Sequence, residues 1–206
     1  KIYRVCSGVK GMPVKKQKKY GKELKSKGKI NLVDEHKNIK RQNIILNEVK
    51  NLKKLGFDKI ILSGYSAGGW SSLFLQSRFP EKIIGTIAFN PAFAGPKKEW
   101  QKKYPEWGAF REDSVNKFNK ANTINAIIFA HKDDIFEDPK TLSFFENFKN
   151  LSLIDYSELK PTKCNWADVN EKMTADKGHN IPQSKCFTKY LEDKNYLISF
   201  LENIIK

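Results

Sequence analysis

The sequence predicts an α/β fold, with a mostly parallel central sheet flanked by helices on both faces. Short apolar segments typical of strands alternate with helical patterns along the chain, which is the order found in parallel sheets. The segment Lys59-Ile60-Ile61-Leu62 is continuously apolar after its lysine, as expected of a strand buried on both faces. No internal repeat or low-complexity linker divides the 206 residues, a length that suits one domain. We therefore predict a single domain over residues 1–206.

The predicted elements follow one another as strand and helix. Predicted strands cover 2–5, 30–33, 59–62, 83–89, 124–130 and 151–156, and predicted helices cover 14–27, 39–55, 68–79, 139–149 and 187–205. The second and the last of these helices carry apolar residues at three- and four-residue steps, which gives each one stripe for burial. Two irregular stretches, 92–122 and 157–185, interrupt the alternation. The first is rich in aromatic residues and is expected to form a cap-like insertion.

The chain is strongly basic, with 38 Lys and Arg against 23 Asp and Glu and a formal net charge of +15. A charge of this size is typical of proteins that bind nucleic acids or anionic membranes. Only four of the basic residues are arginines, whereas specific recognition of phosphates and bases relies on arginine. Nucleic-acid binding is therefore not expected. The hydrophobic content of 39% excludes a disordered chain, and no apolar stretch is long enough to cross a bilayer.

The three cysteines, Cys6, Cys164 and Cys186, have no metal-ligand spacing, so we expect no structural metal site. Cys164 and Cys186 flank one loop-rich segment and could form a disulfide across it, or all three could be buried thiols. The chain opens at Lys1 and not at Met, and we expect a segment upstream. Together with the disulfide, this start favours a periplasmic or secreted location, with a cytoplasmic location as the alternative.

A serine motif lies directly between the predicted strand 59–62 and the helix 68–79, in the sequence Gly64-Tyr65-Ser66-Ala67-Gly68. A nucleophilic serine has to stand on a tight strand-to-helix turn, and small residues two positions before and after it let that turn fit. The backbone N–H of Ala67 could then donate a hydrogen bond to an oxyanion. A glycine-rich turn that binds phosphate at the helix N-terminus is the alternative interpretation.

A serine hydroxyl needs a base, and the base needs an acid that orients it. The histidines of the chain are His36, His131 and His179. We predict His179 as the base, because it lies between the last strand and the final helix, at the sheet edge where Ser66 must also be. Asp133 and Asp134 follow the strand 124–130 and are both candidates for the acid. One is expected to orient the imidazole, and the other to cap the next helix or be solvated.

These residues resemble the α/β-hydrolase family. A serine at a nucleophile elbow, an Asp after the next-but-one strand and a Gly-His pair before the last helix occur in that family's chain order. The resemblance extends over nearly the whole chain, although we expect the first two strands of the family's sheet to be absent. The family's acid commonly stands two positions before a pair of apolar residues, which implies Asp133. Its second oxyanion donor comes from the loop after an early strand, which implies the N–H of Val9, with Ser7 as a rival.

The resemblance implies a serine hydrolase that cleaves carboxylic esters, with thioesters as a further candidate, through an acyl-enzyme on Ser66. Small-molecule or polymeric esters are the expected partners, no metal or organic cofactor is expected, and the oligomeric state is not predicted. Tyr65 and Trp70 flank the nucleophile and are expected to line the substrate pocket. The aromatic residues of the insertion either cover an apolar substrate group or pack onto the sheet. An amidase or peptidase of the same fold and a non-catalytic binding protein are the alternatives.

Overall fold

The computed structural model describes residues 37–102, 105–160 and 177–206. Its helices are α1 (Lys37–Lys54), α2 (Ala67–Arg78), α3 (Lys97–Lys102), α4 (Pro105–Phe118), α5 (Pro139–Leu142), α6 (Lys177–Asn180), α7 (Lys185–Lys194) and α8 (Tyr196–Ile205), with 3-10 turns at Ser143–Asn147 and Ile181–Gln183. Its strands are β1 (Ile61–Tyr65), β2 (Gly85–Phe89), β3 (Ala126–Ala130) and β4 (Leu151–Asp155). The strands predicted at 2–5 and 30–33 and the helix predicted at 14–27 lie outside the described residues.

The four described strands form one parallel sheet in the order β1-β2-β3-β4. Each strand lies beside the one that precedes it along the chain, and the last residues of β1 and β2, Tyr65 and Phe89, are direct neighbours. Phe89 in turn pairs with Phe129 near the end of β3. The carboxyl ends of the strands therefore meet at one edge of the sheet, where binding and catalytic residues of open α/β sheets usually lie. The predicted fold class is confirmed.

Helices cover both faces of the sheet. As a result, all five residues of β3, the segment AIIFA, are buried. Successive side chains of a strand point to opposite faces, so Ile128 and Phe129 belong to two different clusters. Ile128 packs in a cluster with residues of α2 and α4, namely Trp70, Leu73, Phe74, Phe110 and Phe118. Phe129 packs in a cluster with residues of α7 and α8, namely Phe187, Tyr190, Leu191, Leu197 and Phe200.

Some predicted elements differ from the observed ones. The stretch 92–122, predicted to be irregular, contains α3 and α4. The helix predicted at 139–149 is shorter, since the Asp138 capping box and Pro139 begin α5 but the chain continues as a 3-10 turn that ends at Asn147. The helix predicted at 187–205 is divided at Asn195, whose φ of 53° lies in the left-handed region that asparagine tolerates.

The insertion packs onto the sheet through aromatic side chains. Phe93, Phe110 and Phe118 are buried members of the same cluster as Ile128, so these three rings fill the core and leave no surface for a substrate. The side chain of Trp100 lies outside the described part of the structure, as do Tyr104 and Trp166. Whether the insertion also covers the substrate therefore stays a prediction. None of the helices within the described ranges is long and apolar enough to cross a membrane.

Ion pairs join the insertion to the turn that follows β3. Arg111 of α4 donates from Nε to Glu137 Oε1 at 2.6 Å and from Nη2 to Oε2 at 2.8 Å, and the Glu137 side chain is fully buried. The same guanidinium donates to the carbonyl of Thr141 at 2.8 Å. Lys97 pairs with Asp138. The two-pronged pair of Arg111 and Glu137 holds both partners in a defined geometry. The insertion therefore supports the turn that carries Asp133 and Asp134.

Candidate active site

Ser66 stands in a sharp turn between β1 and α2, with φ 54° and ψ −127°. A positive φ is unfavourable for a residue with a Cβ atom and persists only where the surroundings hold it. Here the Ser66 N–H donates to the carbonyl of Phe89 at 3.0 Å, and the Ser66 carbonyl accepts from the N–H groups of Trp70 at 3.1 Å and Ala92 at 3.0 Å. These bonds hold the turn against the end of β2 and aim the serine side chain at the carboxyl edge of the sheet.

Gly64 and Gly69 allow this turn to form, and of these two only Gly64 was expected to do so. A Cβ atom on Gly64 would lie 2.5 Å from the carbonyl carbon of Gly68, and a Cβ atom on Gly69 would lie 2.9 Å from the oxygen of Gly64. A Cβ atom on Gly68 would meet no atom of the described residues within 4 Å. The close approach between β1 and α2 therefore involves the residues two before and three after Ser66, and the expectation that Gly68 supplies the space is corrected.

The structure brings Ser66 and His179 together, as predicted. His179 Nε2 lies 3.0 Å from Ser66 Oγ, and His179 Nδ1 lies 2.7 Å from Asp134 Oδ2. The Asp134 side chain is fully buried and the His179 side chain is 6% exposed. With a proton on Nδ1 donated to the carboxylate, Nε2 carries the lone pair and can accept the serine proton. The three side chains have the geometry of a nucleophile, a base and an orienting acid.

The prediction that Asp133 orients His179 is wrong, since Asp134 contacts the imidazole instead. The Asp133 side chain is 55% exposed, and its carboxylate lies 3.9 Å from Nδ1 of His131. The N–H of Asp134 donates to the carbonyl of His131 at 3.0 Å, and this turn directs Asp134 inward. The rule of an apolar pair two positions downstream failed because Ile135 is exposed. Phe136 is the residue that packs, with its ring centroid 4.3 Å from that of His179.

His179 was predicted in a loop, but it lies in the one-turn helix α6. This helix lies against the acid-bearing turn, because a Cβ atom on Gly178 would come within 2.2 Å of the carbonyl oxygen of Asp133. Only glycine fits at that distance. The Gly-His pair that contributed to the family resemblance therefore has a physical reason: the glycine lets the histidine backbone approach the acid.

His131 has a structural role. Its side chain is fully buried, Nδ1 accepts a hydrogen bond from the N–H of Asp133 at 3.1 Å, and Nε2 lies 3.2 Å from the carbonyl of Leu159. These two contacts require a neutral ring with its proton on Nε2. Burial lowers the pKa of His131, while the nearby Asp133 carboxylate partly opposes that shift. The ring thus shapes the turn that positions Asp134.

We expect His131 to make the protein less stable below about pH 6.5, the ordinary pKa of histidine. Because its pKa is lowered in the fold, the unfolded chain binds more protons on this group, and the free energy of unfolding falls as the pH falls. The loss begins near the unfolded pKa and ends below the folded one. Urea unfolding at pH 7.5 and pH 5.0 measures it. His131→Gln, which keeps a donor and an acceptor but does not titrate, should show a smaller difference, and an equal difference would contradict the assignment.

The prediction that Trp70 lines the substrate pocket is wrong. Its side chain is fully buried, its Nε1 donates to Ser114 Oγ at 3.0 Å, and its ring packs edge-on against Phe93 and Phe118. The insertion covers this ring, and the sequence motif gave no sign of that contact. Trp70 therefore joins α2 to the insertion and does not face a substrate.

Tyr65 lies beside the site, as expected, and it makes a contact that was not predicted. Its hydroxyl donates to Asn180 Oδ1 at 2.7 Å, and its ring centroid lies 5.0 Å from that of His179. The tyrosine therefore holds α6 from the side of β1. Its contact with substrate stays a prediction.

The oxyanion donors are only partly described by the structure. Ala67 is the first residue of α2, and the first N–H groups of a helix have no acceptor within the helix. The N–H of Ala67 is therefore in a position to donate a hydrogen bond to an oxyanion, as expected. Val9 and Ser7 lie outside the described residues, and so does Cys164, so the second donor and the disulfide with Cys186 stay predictions. Among the described residues, no group of His, Cys, Asp or Glu side chains could hold a metal ion.

Sequence reasoning missed Asn90 and Tyr156. Asn90 contacts the His179 segment directly, and Tyr156 contacts it through Asn90. Asn90 follows β2 and donates from Nδ2 to the carbonyl of His179 at 2.8 Å, while the Tyr156 hydroxyl donates to Asn90 Oδ1 at 2.8 Å. One signal was available, because Asn90 comes directly after the predicted strand 83–89 and Tyr156 is the last residue of the predicted strand 151–156, so both lie at the same edge as Ser66. Their residue types alone gave no indication of a role.

The chain matches no protein-family model and no curated protein. Among solved structures it is similar to the naproxen esterase of Bacillus subtilis, with 12% identity and a TM-score of 0.46 over 78% of this chain and 66% of that one. It is also similar to the monoacylglycerol lipase of Paleococcus ferrophilus, with 16% identity and a TM-score of 0.45 over 58% of this chain and 65% of that one. A thermophilic esterase of Thermogutta terrifontis has 9% identity and a TM-score of 0.42 over 78% of this chain and 71% of that one.

The chain thus spans just under two thirds of the length of the first two of these structures. The architecture is a matter of direct observation: parallel strands β1 to β4, helices on both faces, and a serine at the turn between β1 and α2. With Asp134 after β3 and His179 ahead of the last two helices, the described residues have the strand order and the positions of the site residues that the α/β-hydrolase resemblance predicts.

Proposed function

We propose that this protein is a serine hydrolase that cleaves carboxylic esters, with thioesters as further substrates, through Ser66, His179 and Asp134. One observation carries the proposal: Ser66 Oγ, the His179 imidazole and the Asp134 carboxylate form a continuous series of hydrogen bonds of 3.0 and 2.7 Å. The serine also stands on a backbone turn with a φ of 54°. A strained turn that exposes a serine to a base is typical of an activated nucleophile.

The first half of the reaction would form an acyl-enzyme. Ser66 Oγ attacks the carbonyl carbon of the ester while its proton passes to His179 Nε2, and the Asp134 carboxylate stabilises the imidazolium. The negative charge on the carbonyl oxygen is stabilised by the N–H of Ala67, with Val9 proposed as the second donor. His179 then gives its proton to the leaving oxygen as the ester C–O bond breaks. The alcohol leaves, and the acyl group stays on Ser66.

The second half would use water in place of the alcohol. His179 takes a proton from water as the water oxygen attacks the acyl carbon, and the tetrahedral intermediate again places its charge at the Ala67 N–H. When the bond to Ser66 Oγ breaks, His179 returns the proton to the serine. The carboxylic acid leaves, and the enzyme is in its starting state.

Apolar side chains beside the base favour an apolar group on the substrate. The ring of Phe136 contacts His179, Tyr65 lies beside the same imidazole, and Ile135 is 38% exposed. Burying an apolar acyl or aryl group against such a rim contributes roughly 25 cal/mol for each Å² removed from water. Aryl esters of short acids are therefore suitable first substrates.

The test is covalent labelling with a fluorophosphonate, followed by intact mass, together with turnover of p-nitrophenyl acetate. We expect one label per wild-type chain, no label on Ser66→Ala, and a fall in turnover of at least about 10³-fold in that variant. Ser77→Ala is the matched control, because Ser77 is also on α2 but its hydroxyl donates to the carbonyl of Phe74 at 2.8 Å. The Ser77→Ala variant should label like the wild type. A folded wild-type protein that neither labels nor turns over would overturn the proposal.

A further inference from the structure

Asn90 is a buried amide at the edge of the sheet where Ser66 lies. It follows β2, its side chain is fully buried, and its N–H donates to the carbonyl of Phe129 at 2.8 Å. Its φ of 41° lies in the left-handed region, where asparagine is several-fold enriched among residues with a side chain. A left-handed backbone and a buried polar side chain both cost free energy, so they persist only where surrounding contacts hold the residue in place.

The side chain of Asn90 joins the sheet to α6. Its Nδ2 donates to the carbonyl oxygens of Gly178 at 3.0 Å and His179 at 2.8 Å. Carbonyl groups in the last turn of a helix have no donor within the helix, and α6 has only four residues. Asn90 therefore supplies the donors that this short helix lacks, and both of its amide hydrogens are used.

Tyr156 fixes the orientation of that amide. Its hydroxyl donates to Asn90 Oδ1 at 2.8 Å, and the tyrosine is fully buried. Burial raises the pKa of Tyr156, so the hydroxyl keeps its proton and remains a donor. With two carbonyls on one side and a hydroxyl on the other, the amide has a single favourable orientation.

We infer that Asn90, held by Tyr156, is a positioning residue that fixes the His179 backbone so that one imidazole reaches Ser66 and Asp134 at the same time. The inference rests on the proposed function. Two contacts of 3.0 and 2.7 Å on opposite sides of one ring tolerate little displacement. Gly178 permits the close approach of α6 to the acid-bearing turn, and Asn90 supplies the bonds that keep it there. A displacement of about 1 Å at a reacting group costs about 10²-fold in rate.

The experiment compares the wild type with Asn90→Gly and Asn90→Asp. Glycine removes the amide and accepts the φ of 41°, whereas Asp keeps the shape but replaces the two donors by acceptors that face carbonyl oxygens. We expect both variants to lower kcat for p-nitrophenyl acetate by about 10²-fold, with KM within about twofold of wild type. The rate of fluorophosphonate labelling should fall by a similar factor, because the imidazole no longer reaches Ser66 and Asp134 at the same time. Tyr156→Phe should lower kcat about tenfold.

Asn125→Asp is the matched control. Asn125 stands directly before β3, at the opposite edge of the sheet, where its Nδ2 donates to the carbonyl of Ile84 at 3.2 Å. Asn125→Asp should lower stability without changing kcat or the rate of labelling. If Asn90→Asp does not fold, Asn90→Gly and Tyr156→Phe decide. Asn90 variants that match Asn125→Asp in kcat and labelling rate would overturn this inference and leave the proposed function intact. A wild type without labelling or turnover would overturn the proposed function, and the inference with it.

Discussion

Asp134→Asn is expected to lower kcat on an ester substrate by about 10⁴-fold, whereas Asp133→Asn leaves it within about twofold of wild type. Asp134 accepts from His179 Nδ1 at 2.7 Å and is 2% exposed. An asparagine of the same shape can present its NH2 group to Nδ1, which favours the tautomer with the proton on Nε2. That tautomer cannot accept the proton of Ser66. Steady-state turnover of p-nitrophenyl acetate by both variants measures the difference.

Asp133→Asn is the natural control for that experiment. The two residues are neighbours, the substitution is the same, and the Asp133 carboxylate is 55% exposed, so a general effect of losing one negative charge near the site would affect both variants alike. Asp134→Asn should still fold, because Oδ1 of Asp134 accepts from the N–H of Phe136 at 2.8 Å and the amide oxygen can do the same. A larger loss with Asp133→Asn would reverse the assignment of the acid.

The fold could be predicted because each described strand is recognisable from its own residues. The segment AIIFA of β3 has no polar side chain, and such a segment satisfies its backbone only between two other strands, with helices on both faces. The edge of the sheet that carries the site could be predicted from the alternation of strands and helices along the chain. Parallel strands place Ser66 and the segment after β3 at the same edge. These features depend on local composition and on the order of elements, which the sequence contains directly.

The acid could not be predicted because the choice between Asp133 and Asp134 depends on distant contacts. The backbone of Gly178 lies against that of Asp133, and His179, which contacts Asp134, is 45 residues from it along the chain. Trp70 was misjudged for the same reason, since its partner Ser114 belongs to the insertion 44 residues away. Sequence spacing indicates which residues share an edge of the sheet, but not which side chain faces the nucleophile.

Asn90 and the division of the last helix also escaped prediction, and both involve asparagine. Asn90 looks like a residue that simply ends a strand, and its carbonyl partners lie 88 and 89 residues away. Asn195 lies within the stretch 187–205 that was predicted to be one helix, but its φ of 53° redirects the chain between α7 and α8. A left-handed conformation costs asparagine less than most residues, and tertiary contacts decide where that tolerance is used.

Gly64→Ala is expected to lower the free energy of unfolding by about 3 kcal/mol, the upper part of the range for overpacking a close contact. The added Cβ would lie 2.5 Å from the carbonyl carbon of Gly68 and 2.6 Å from the nitrogen of Gly69. These are backbone atoms at the start of α2, so the helix or the strand has to move. Because Ser66 stands between them, we also expect the rate of fluorophosphonate labelling to fall by about 10²-fold. Urea unfolding and the time course of labelling measure the two effects.

Gly68→Ala is the matched control, since it is the other glycine of the same motif and its Cβ would meet no atom of the described residues within 4 Å. Alanine is favoured over glycine within a helix by up to about 1 kcal/mol, so this variant should be as stable as the wild type or more stable. The pair separates two explanations of the motif. If both glycines serve the backbone turn, both variants lose stability; if only the contact between β1 and α2 requires glycine, Gly64→Ala alone does. A loss of stability in Gly68→Ala equal to that in Gly64→Ala would contradict the steric account of the turn at Ser66.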